Sequence, residues 1–288
     1  MLLIANQKSR ASSGWAAWEA DISEREDIEI YPLGPNLDDV VRRAVDAGTR
    51  TVIAAGGDGT ISSVANTILR LGLDVRLGVL PAGTFNHFAK DVGIPTDHAE
   101  ALRVIDAGHT RSVDVGAVND LYFVNNSSLG FYPTMVNTRQ AMERSGVSKW
   151  RAFAQVLLHT GLTRSAFSLR LGSEGTTAKK TAGVFIGNNR YALEGFQLGA
   201  RARLDEGTLF VALFRDSGLL ALFRLVIKAL RGRVLSDDAL DVIGLTECVV
   251  DSGRRTLLVA HDGEVTRLAP PLRYRTVPQA LRVIVPQS

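Results

Sequence analysis

Ten consecutive residues constrain the fold of this chain more than any others: Thr51-Val52-Ile53-Ala54-Ala55-Gly56-Gly57-Asp58-Gly59-Thr60. An apolar, partly β-branched run breaks into three glycines around one aspartate, and the helix-compatible stretch Ile61–Asn66 follows. Glycine lets the backbone turn freely and lets another group come close to the main chain. Thr60 falls where a helix N-cap would stand, and the N–H groups of a helix start attract phosphate. Strand, glycine loop and helix start in this order predict an anion cradle at a strand's carboxyl end. Asp58 would repel bare phosphate, so it fits a cradle that faces a metal-bound phosphate or an acceptor hydroxyl. The plain alternative is a tight turn between strand and helix carrying an incidental aspartate.

The pattern around this stretch repeats. Leu2–Ala5 predicts a buried strand ending at Asn6, Ile28–Leu33 a second, and Leu77–Leu80 a further one. Between them, Leu37–Ala47 predicts an amphipathic helix with Val40, Val41, Ala44 and Val45 inward, stopped by Gly48. A further helix is expected over Trp15–Ser23. The strand Leu77–Leu80 opens into Pro81-Ala82-Gly83-Thr84-Phe85-Asn86-His87, a second small-residue turn with a hydroxyl at a presumed helix start. Asn86 reads either as a pocket residue or as a first-turn polar group, and for His87 the latter reading is preferred. Strands alternating with helices to residue 109 predict a parallel sheet covered on both faces, whose strand ends carry the ligand. After residue 112 short strand-like runs take over, with Asn119-Asp120 and Asp251-Ser252-Gly253 reading as hairpin turns. Helical interruptions are expected near Lys149–Gly161 and Gly218–Arg231. The expected architecture is an α/β domain over 1–112 and a β-rich domain over 113–288, with the C-terminal segment free to return to the first.

Composition narrows the function classes. The formal net charge of +3 is spread along the chain, which suits an anionic ligand or membrane surface and argues against nucleic acid. A single cysteine, Cys248, excludes an intrachain disulfide and Cys-rich metal sites. The opening Met1–Asn6 has no charged n-region, and no apolar run approaches the roughly 20 residues that span a bilayer. The expectation is a cytoplasmic protein. Neither G-x-x-x-x-G-K-[ST] nor G-x-G-x-x-G occurs, so the glycine loops belong to neither common nucleotide motif.

Taken in order, the motifs resemble those of the diacylglycerol kinase catalytic-domain family. Gly56–Thr60 and Pro81–Ala89 resemble its signature loops, and Ser128-Leu129-Gly130-Phe131, Gly187-Asn188-Asn189, Leu204–Leu209 and His261-Asp262-Gly263-Glu264 resemble its later elements. The resemblance spans about residues 2–285, although the GGDGT element alone is shared with NAD kinases and phosphofructokinases. It implies an N-terminal Rossmann-like domain of the NAD kinase and phosphofructokinase type, and a C-terminal β-sandwich, with the site between them. It implies a soluble lipid kinase using ATP and Mg²⁺. Diacylglycerol is the leading acceptor, with ceramide, sphingoid bases, monoacylglycerol and phosphatidylglycerol also open. The implied nucleotide site comprises Asn6, Lys8, Ser9, Gly56, Gly57, Asp58, Gly59, Thr60, Ser63, Gly83, Thr84 and Asn86. The implied catalytic groups are Asp58, near Mg-ATP, and Glu264 or Asp262 as general base. Phosphoryl transfer needs positioning, charge neutralisation and a carboxylate to take the hydroxyl proton. Asp262-Gly263, taken alone, reads as a hairpin turn.

Three departures qualify the likeness. The first loop is Asn6-Gln7-Lys8-Ser9-Arg10 where the family has N-P-x-S-G, so Lys8 and Arg10 are candidates to meet phosphate. Glu206 stands at the family's aspartate of a structural magnesium site, with Asp205 beside it and Arg203 and Thr208 as neighbouring main-chain ligands. Tyr191–Phe196 replaces a glycine-rich element. The segment Leu219–Arg233 places Arg224, Lys228 and Arg231 on one helical face, which suits either anionic lipid or a helix covering a core. The expected partners are therefore a membrane lipid substrate and, peripherally, the inner face of the membrane, with a homodimer left open. An NAD kinase-like phosphotransferase and a catalytically silent nucleotide or lipid binder are the rival readings.

Overall fold

The computed structural model describes residues 1–6, 22–23, 25–130, 167–171, 178–181, 183–192, 200–214 and 240–287. The N-terminal part is a parallel sheet of β1 (Leu2–Ala5), β2 (Glu29–Pro32), β3 (Thr51–Gly56) and β4 (Arg76–Pro81) in the order β2-β1-β3-β4. Strands β1, β3 and nearly all of β4 are buried along their length, as a sheet covered on both faces requires. Helices α1 (Leu37–Asp46), α2 (Asp58–Arg70), α3 (His87–Asp91) and α4 (His98–Ala107) accompany it. Helix α2 buries Ile61, Val64, Ala65 and Ile68, a stripe at helical spacing. The chain winds from β1 to β2 on one side and then crosses to β3 on the other. The switch point, where a crevice forms outside the strand ends, therefore lies between Asn6 and Gly56.

The remaining strands build a sandwich. β7 (Asn126–Leu129), β10 (Val184–Asn188), β11 (Leu209–Phe214), β12 (Leu240–Leu245), β14 (Leu257–His261) and β15 (Glu264–Leu268) form an antiparallel sheet in the order β12-β11-β10-β7-β14-β15. Opposite it lie β13 (Glu247–Asp251), β8 (Phe167–Leu171), β9 (Ala178–Thr181) and part of the long β16 (Leu272–Ile284). Leu129, Val184, Ile186, Leu209, Val211 and Val259 from one sheet meet Cys248, Val250, Leu272 and Tyr274 from the other in a single apolar core. The α/β-plus-sandwich fold read from the sequence is the fold observed.

Strand β16 makes the two halves continuous. Leu272–Arg275 pairs with β13 in the sandwich, whereas Val283 pairs in parallel with Leu77 of β4. Both ends also pair with β5 (Thr110–Val118), so one sheet runs from the first core into the second. From the sequence alone this segment reads as a strand only over Leu281–Val285, whereas the observed strand begins at Leu272. Its start was hidden by Pro278, which lies in a bulge between Val277 and Leu281 where Gln279 takes φ 50° and donates its N–H to Asp114. The Asp251–Gly253 turn is also corrected: it joins β13 in one sheet to β14 in the other, so it closes no hairpin. Asn119-Asp120 does join paired strands, β5 and β6 (Leu121–Phe123), with Val118 opposite Leu121. The helices expected over Lys149–Gly161 and Leu219–Arg233 lie outside the described residues, as do Trp15–Asp21 of the first expected helix.

Candidate active site between two glycine loops and a hairpin turn

The loops after β3 and β4 touch backbone to backbone. A Cβ on Gly83 would come within 2.4 Å of Gly57 Cα, and one on Gly57 within 3.2 Å of Gly83 Cα. The obstacle at Gly83 is main chain, so glycine is required there, whereas a Cβ on Gly57 would need the two loops to part by a few tenths of an ångström. The Ala82 N–H donates to Gly56 O at 2.9 Å and fixes the register of the two turns.

Helix α2 starts one turn earlier than its sequence suggests. Gly57 is the N-cap, and the N–H groups of Thr60 and Ile61 bond back to Gly57 O at 2.9 and 3.1 Å. Thr60 is thus the third residue of the helix, which corrects its reading as the cap. Its buried hydroxyl accepts from Asn6 Nδ2 at 3.2 Å, tying the end of β1 to the loop at the switch point. The N–H groups of Asp58 and Gly59, too early in the helix for intrahelical partners, are the donors that this helix start offers an anion. Ser63 Oγ donates to Gly59 O within the helix.

Asp58 clasps the second loop. Its two carboxylate oxygens accept the N–H groups of His87 and Phe88, both at 3.1 Å, and so cap the start of α3. Asn86, the N-cap of α3, takes φ 51° and folds its side chain back onto Gly83, accepting from Gly83 N and donating to Gly83 O, both at 2.9 Å. Thr84 is exposed two residues before that cap, which corrects its placement at the helix start. Exposed Phe85 stacks on His87 with ring centroids 5.6 Å apart.

From the sandwich comes the hairpin turn between β14 and β15. His261 pairs with Glu264 across Asp262-Gly263, whose φ values of 46° and 89° are those of a two-residue turn with both central residues left-handed. The hairpin reading of this turn is therefore observed, and it leaves the site reading open. Asp262 is buried and accepts four hydrogen bonds: from Ser62 Oγ at 2.7 Å, and from the N–H groups of Val124, Asn125 and Asn126 at 2.7, 2.8 and 3.0 Å. Burial pushes its carboxyl above the ordinary value, and the donors offset part of that rise. Glu264 is exposed, and its Oε1 lies 3.7 Å from where a Cβ on Gly59 would sit. Of the two carboxylates considered for the base, Asp262 is held by these four donors, and Glu264 is exposed beside the glycine loop. His261 is mostly buried and held below its ordinary value, because burial outweighs the pull of Asp262 and Glu264.

Asn6, Gly56–Thr60, Gly83–Asn86, Asp262 and Glu264 thus converge on one edge. Lys8 and Ser9 lie outside the described residues, as does Glu194–Phe196. The Arg203–Thr208 turn bonds to Arg190, Asn189 and Asp114. Asp205 pairs with Arg203 at 2.9 Å, Glu206 accepts from Arg190 N at 3.2 Å, the Thr208 carbonyl accepts from Asn189 N, and Gly207 N donates to Asp114. One oxygen of each carboxylate meets a donor, Asp205 Oδ1 from Arg203 Nε and Glu206 Oε2 from Arg190 N. Among the described residues no group of three or more His, Cys, Asp or Glu could hold a metal. Sequence reasoning missed the groups that hold the halves together, namely Ser62, Asp91 and Arg201. Each is polar with no local motif, and only the fold gives it a partner.

Residues 1–118 match the diacylglycerol kinase catalytic domain, and residues 136–285 match the YegS C-terminal NAD kinase beta sandwich-like domain. A Pseudomonas aeruginosa (strain UCBPP-PA14) protein named "Probable lipid kinase YegS-like" is 37% identical over 180 residues, 60% of this chain and 57% of its own length. A Staphylococcus aureus (strain JH9) protein named "Diacylglycerol kinase" is 31% identical over 191 residues, 66% of this chain and 60% of its own length. The matches to these curated relatives thus take in 57% and 60% of their length. A crystal structure described as a diacylglycerol kinase from Bacillus anthracis str. Sterne superposes with a TM-score of 0.70 at 21% identity, covering 99% of this chain and 96% of the other. At that identity the likeness speaks for the fold. Among the described residues no helix is long and apolar enough to cross a membrane.

Proposed function

The chain belongs to the diacylglycerol kinase catalytic-domain family, and from that premise we propose that it transfers the γ-phosphoryl group of ATP to a hydroxyl of a membrane lipid, with diacylglycerol the leading acceptor. The observation that carries this reading is the placement of Glu264, from the sandwich, over Gly59 of the nucleotide-type loop. The glycine loops offer main-chain donors and room for phosphate, whereas a carboxylate from the other half faces them. In the reaction Glu264 takes the proton of the lipid hydroxyl. The freed oxygen attacks the γ-phosphorus, the bond from γ-phosphorus to the bridging oxygen breaks, and ADP leaves with that electron pair.

A divalent cation bound with ATP would neutralise charge on the β- and γ-phosphates. Asp58 suits it, because each of its carboxylate oxygens accepts one N–H and keeps a further lone pair. No step is assigned to an ion at Arg203–Thr208. Peripheral contact with the inner face of the membrane follows from a lipid acceptor and is part of the same proposal, as are the two domains at 1–112 and 113–288.

The test is transfer of labelled γ-phosphate from Mg-ATP in mixed micelles containing diacylglycerol, ceramide, sphingosine and phosphatidylglycerol, with NAD as a soluble competitor. Label in one lipid, lost in Glu264→Gln, supports the reading and names the acceptor. Label in NAD alone would replace it with an NAD kinase-like activity. ATP binding with no label anywhere would make the protein a silent binder.

A further inference from the structure

We propose that Arg201 is a positioning residue for phosphoryl transfer, holding the segment where the chain crosses between the two sheets so that the Asp262–Glu264 turn meets the glycine loops. This inference rests on the lipid kinase reading above. The crossing segment is Val124–Asn126, which leaves β6 at the end of the first sheet and enters the first residue of β7 in the second. Asp262 grips it from one side through three main-chain N–H groups. Arg201 grips it from the other side. Its Nη1 donates to Val124 O at 2.6 Å and to Asn188 O at 3.2 Å, and its Nη2 donates to Asn125 Oδ1 at 2.7 Å.

The third hold of the guanidinium reaches the nucleotide half. Arg201 Nε donates to Asp91 Oδ2 at 2.7 Å, and both side chains are almost wholly buried, at 0% and 7% exposure. Asp91 is the last residue of α3, the helix whose first N–H groups are capped by Asp58. The contacts therefore close a circuit around the site. It runs from Asp58 through α3 to Asp91, then to Arg201, Val124 and Asn125, on to Asp262, and back through Ser62 to α2. Tyr191 backs the same segment, with its ring 5.5 Å from the guanidinium carbon and its hydroxyl donating to Asn125 O at 2.8 Å.

Burying an arginine is unfavourable unless its charge and its N–H groups find partners. A residue needed only to neutralise Asp91 could be a lysine. The planar fork is what lets one side chain reach Asp91, Val124 and Asn125 in three directions at once. Lysine at 201 would keep the charge and lose the simultaneous hold. The crossing segment would then relax, and with it the turn that aims Glu264. The contacts that shape the cradle, Gly57 against Gly83, Asn86 on Gly83 and Asp58 on His87 and Phe88, are all made within the nucleotide half.

The experiment is steady-state kinetics on the full chain for Arg201→Lys, alone and combined with Glu264→Gln. The expected result is a kcat reduced about 10- to 100-fold with the KM for ATP within about twofold, and almost no further loss when Glu264→Gln is already present. A wild-type kcat in Arg201→Lys would overturn the inference. So would a loss just as large in the Glu264→Gln background, because that is what a merely structural role gives. Should Arg201→Lys fail to fold, Asn125→Ala decides. It removes one hold while leaving both charges and the Asn125 N–H in place, and the same split between kcat and KM is expected of it. A folded Asn125→Ala with wild-type kcat overturns the inference. A wild-type protein that phosphorylates no lipid removes the premise and the inference together, an outcome distinct from an active wild type matched by its variants.

Discussion

The two halves of the site are built from opposite materials. On the nucleotide side the geometry is main chain. Gly57 and Gly83 lie against each other with no space for a Cβ on Gly83, and Asn86 and Asp58 bond to backbone N–H and C=O groups rather than to other side chains. On the sandwich side the geometry is set by buried charge, with Asp262 and Arg201 holding the Val124–Asn126 segment between them. A cradle for phosphate must leave its donors open to a ligand, so shape has to hold it. Under the proposed reaction, a turn that presents a base needs only one outward group, Glu264, and can use its other carboxylate for anchoring. The two halves should therefore fail in different ways when altered.

The largest expected effect is in the buried anchor. Asp262→Ala leaves two buried N–H groups, one part-buried N–H and the Ser62 hydroxyl without their acceptor, and should cost about 3 kcal/mol or more of unfolding free energy. Urea denaturation followed by fluorescence measures it, and a loss under about 1 kcal/mol would break the contrast between the halves. Next comes Gly83→Ala. The added Cβ meets Gly57 Cα at 2.4 Å, and the overpacking should cost about 1–3 kcal/mol. Its sharper signature is in binding: calorimetric affinity for ATP should collapse in Gly83→Ala more than in any variant of the sandwich turn.

The smallest effect is a pH dependence. His261 is held below its ordinary value by burial, so the unfolded chain takes up a proton that the folded one refuses. The stability this contributes is complete above the unfolded value near 6.5 and declines as pH falls below it. Asp262, raised by burial, works with the opposite sign, because there the folded state is the one that favours the proton. The difference in melting temperature between wild type and His261→Gln isolates the histidine. Wild type should lose up to about 1 kcal/mol relative to the variant between pH 7 and pH 5, and parallel curves would show that His261 titrates normally.

This contrast also explains what the sequence made legible. The cradle half could be read because its rules are local: an apolar run, glycines and a helix start are contiguous in Thr51–Asn66, and the second loop repeats them. Even there the phase of α2 was off, because Gly57 caps it in an extended conformation that no side chain announces. The sandwich half hid its anchors. Asp262 finds Ser62 200 residues away and Arg201 finds Asp91 110 residues away, and nothing near either residue in the chain indicates its partner. Strand β16 hid for a different reason. Its alternating Arg273 and Arg275 and the bulge at Pro278 disguise a strand that joins the two cores.

The most direct measurement of the central claim, that the sandwich delivers a base to a cradle that binds ATP without it, is ATP affinity and kcat on the same preparation of Glu264→Gln. The account predicts ATP binding within about twofold of wild type, unchanged melting temperature, and kcat lower by a factor of about 10² to 10⁴. An equal fall in affinity and turnover, or turnover untouched, would contradict it.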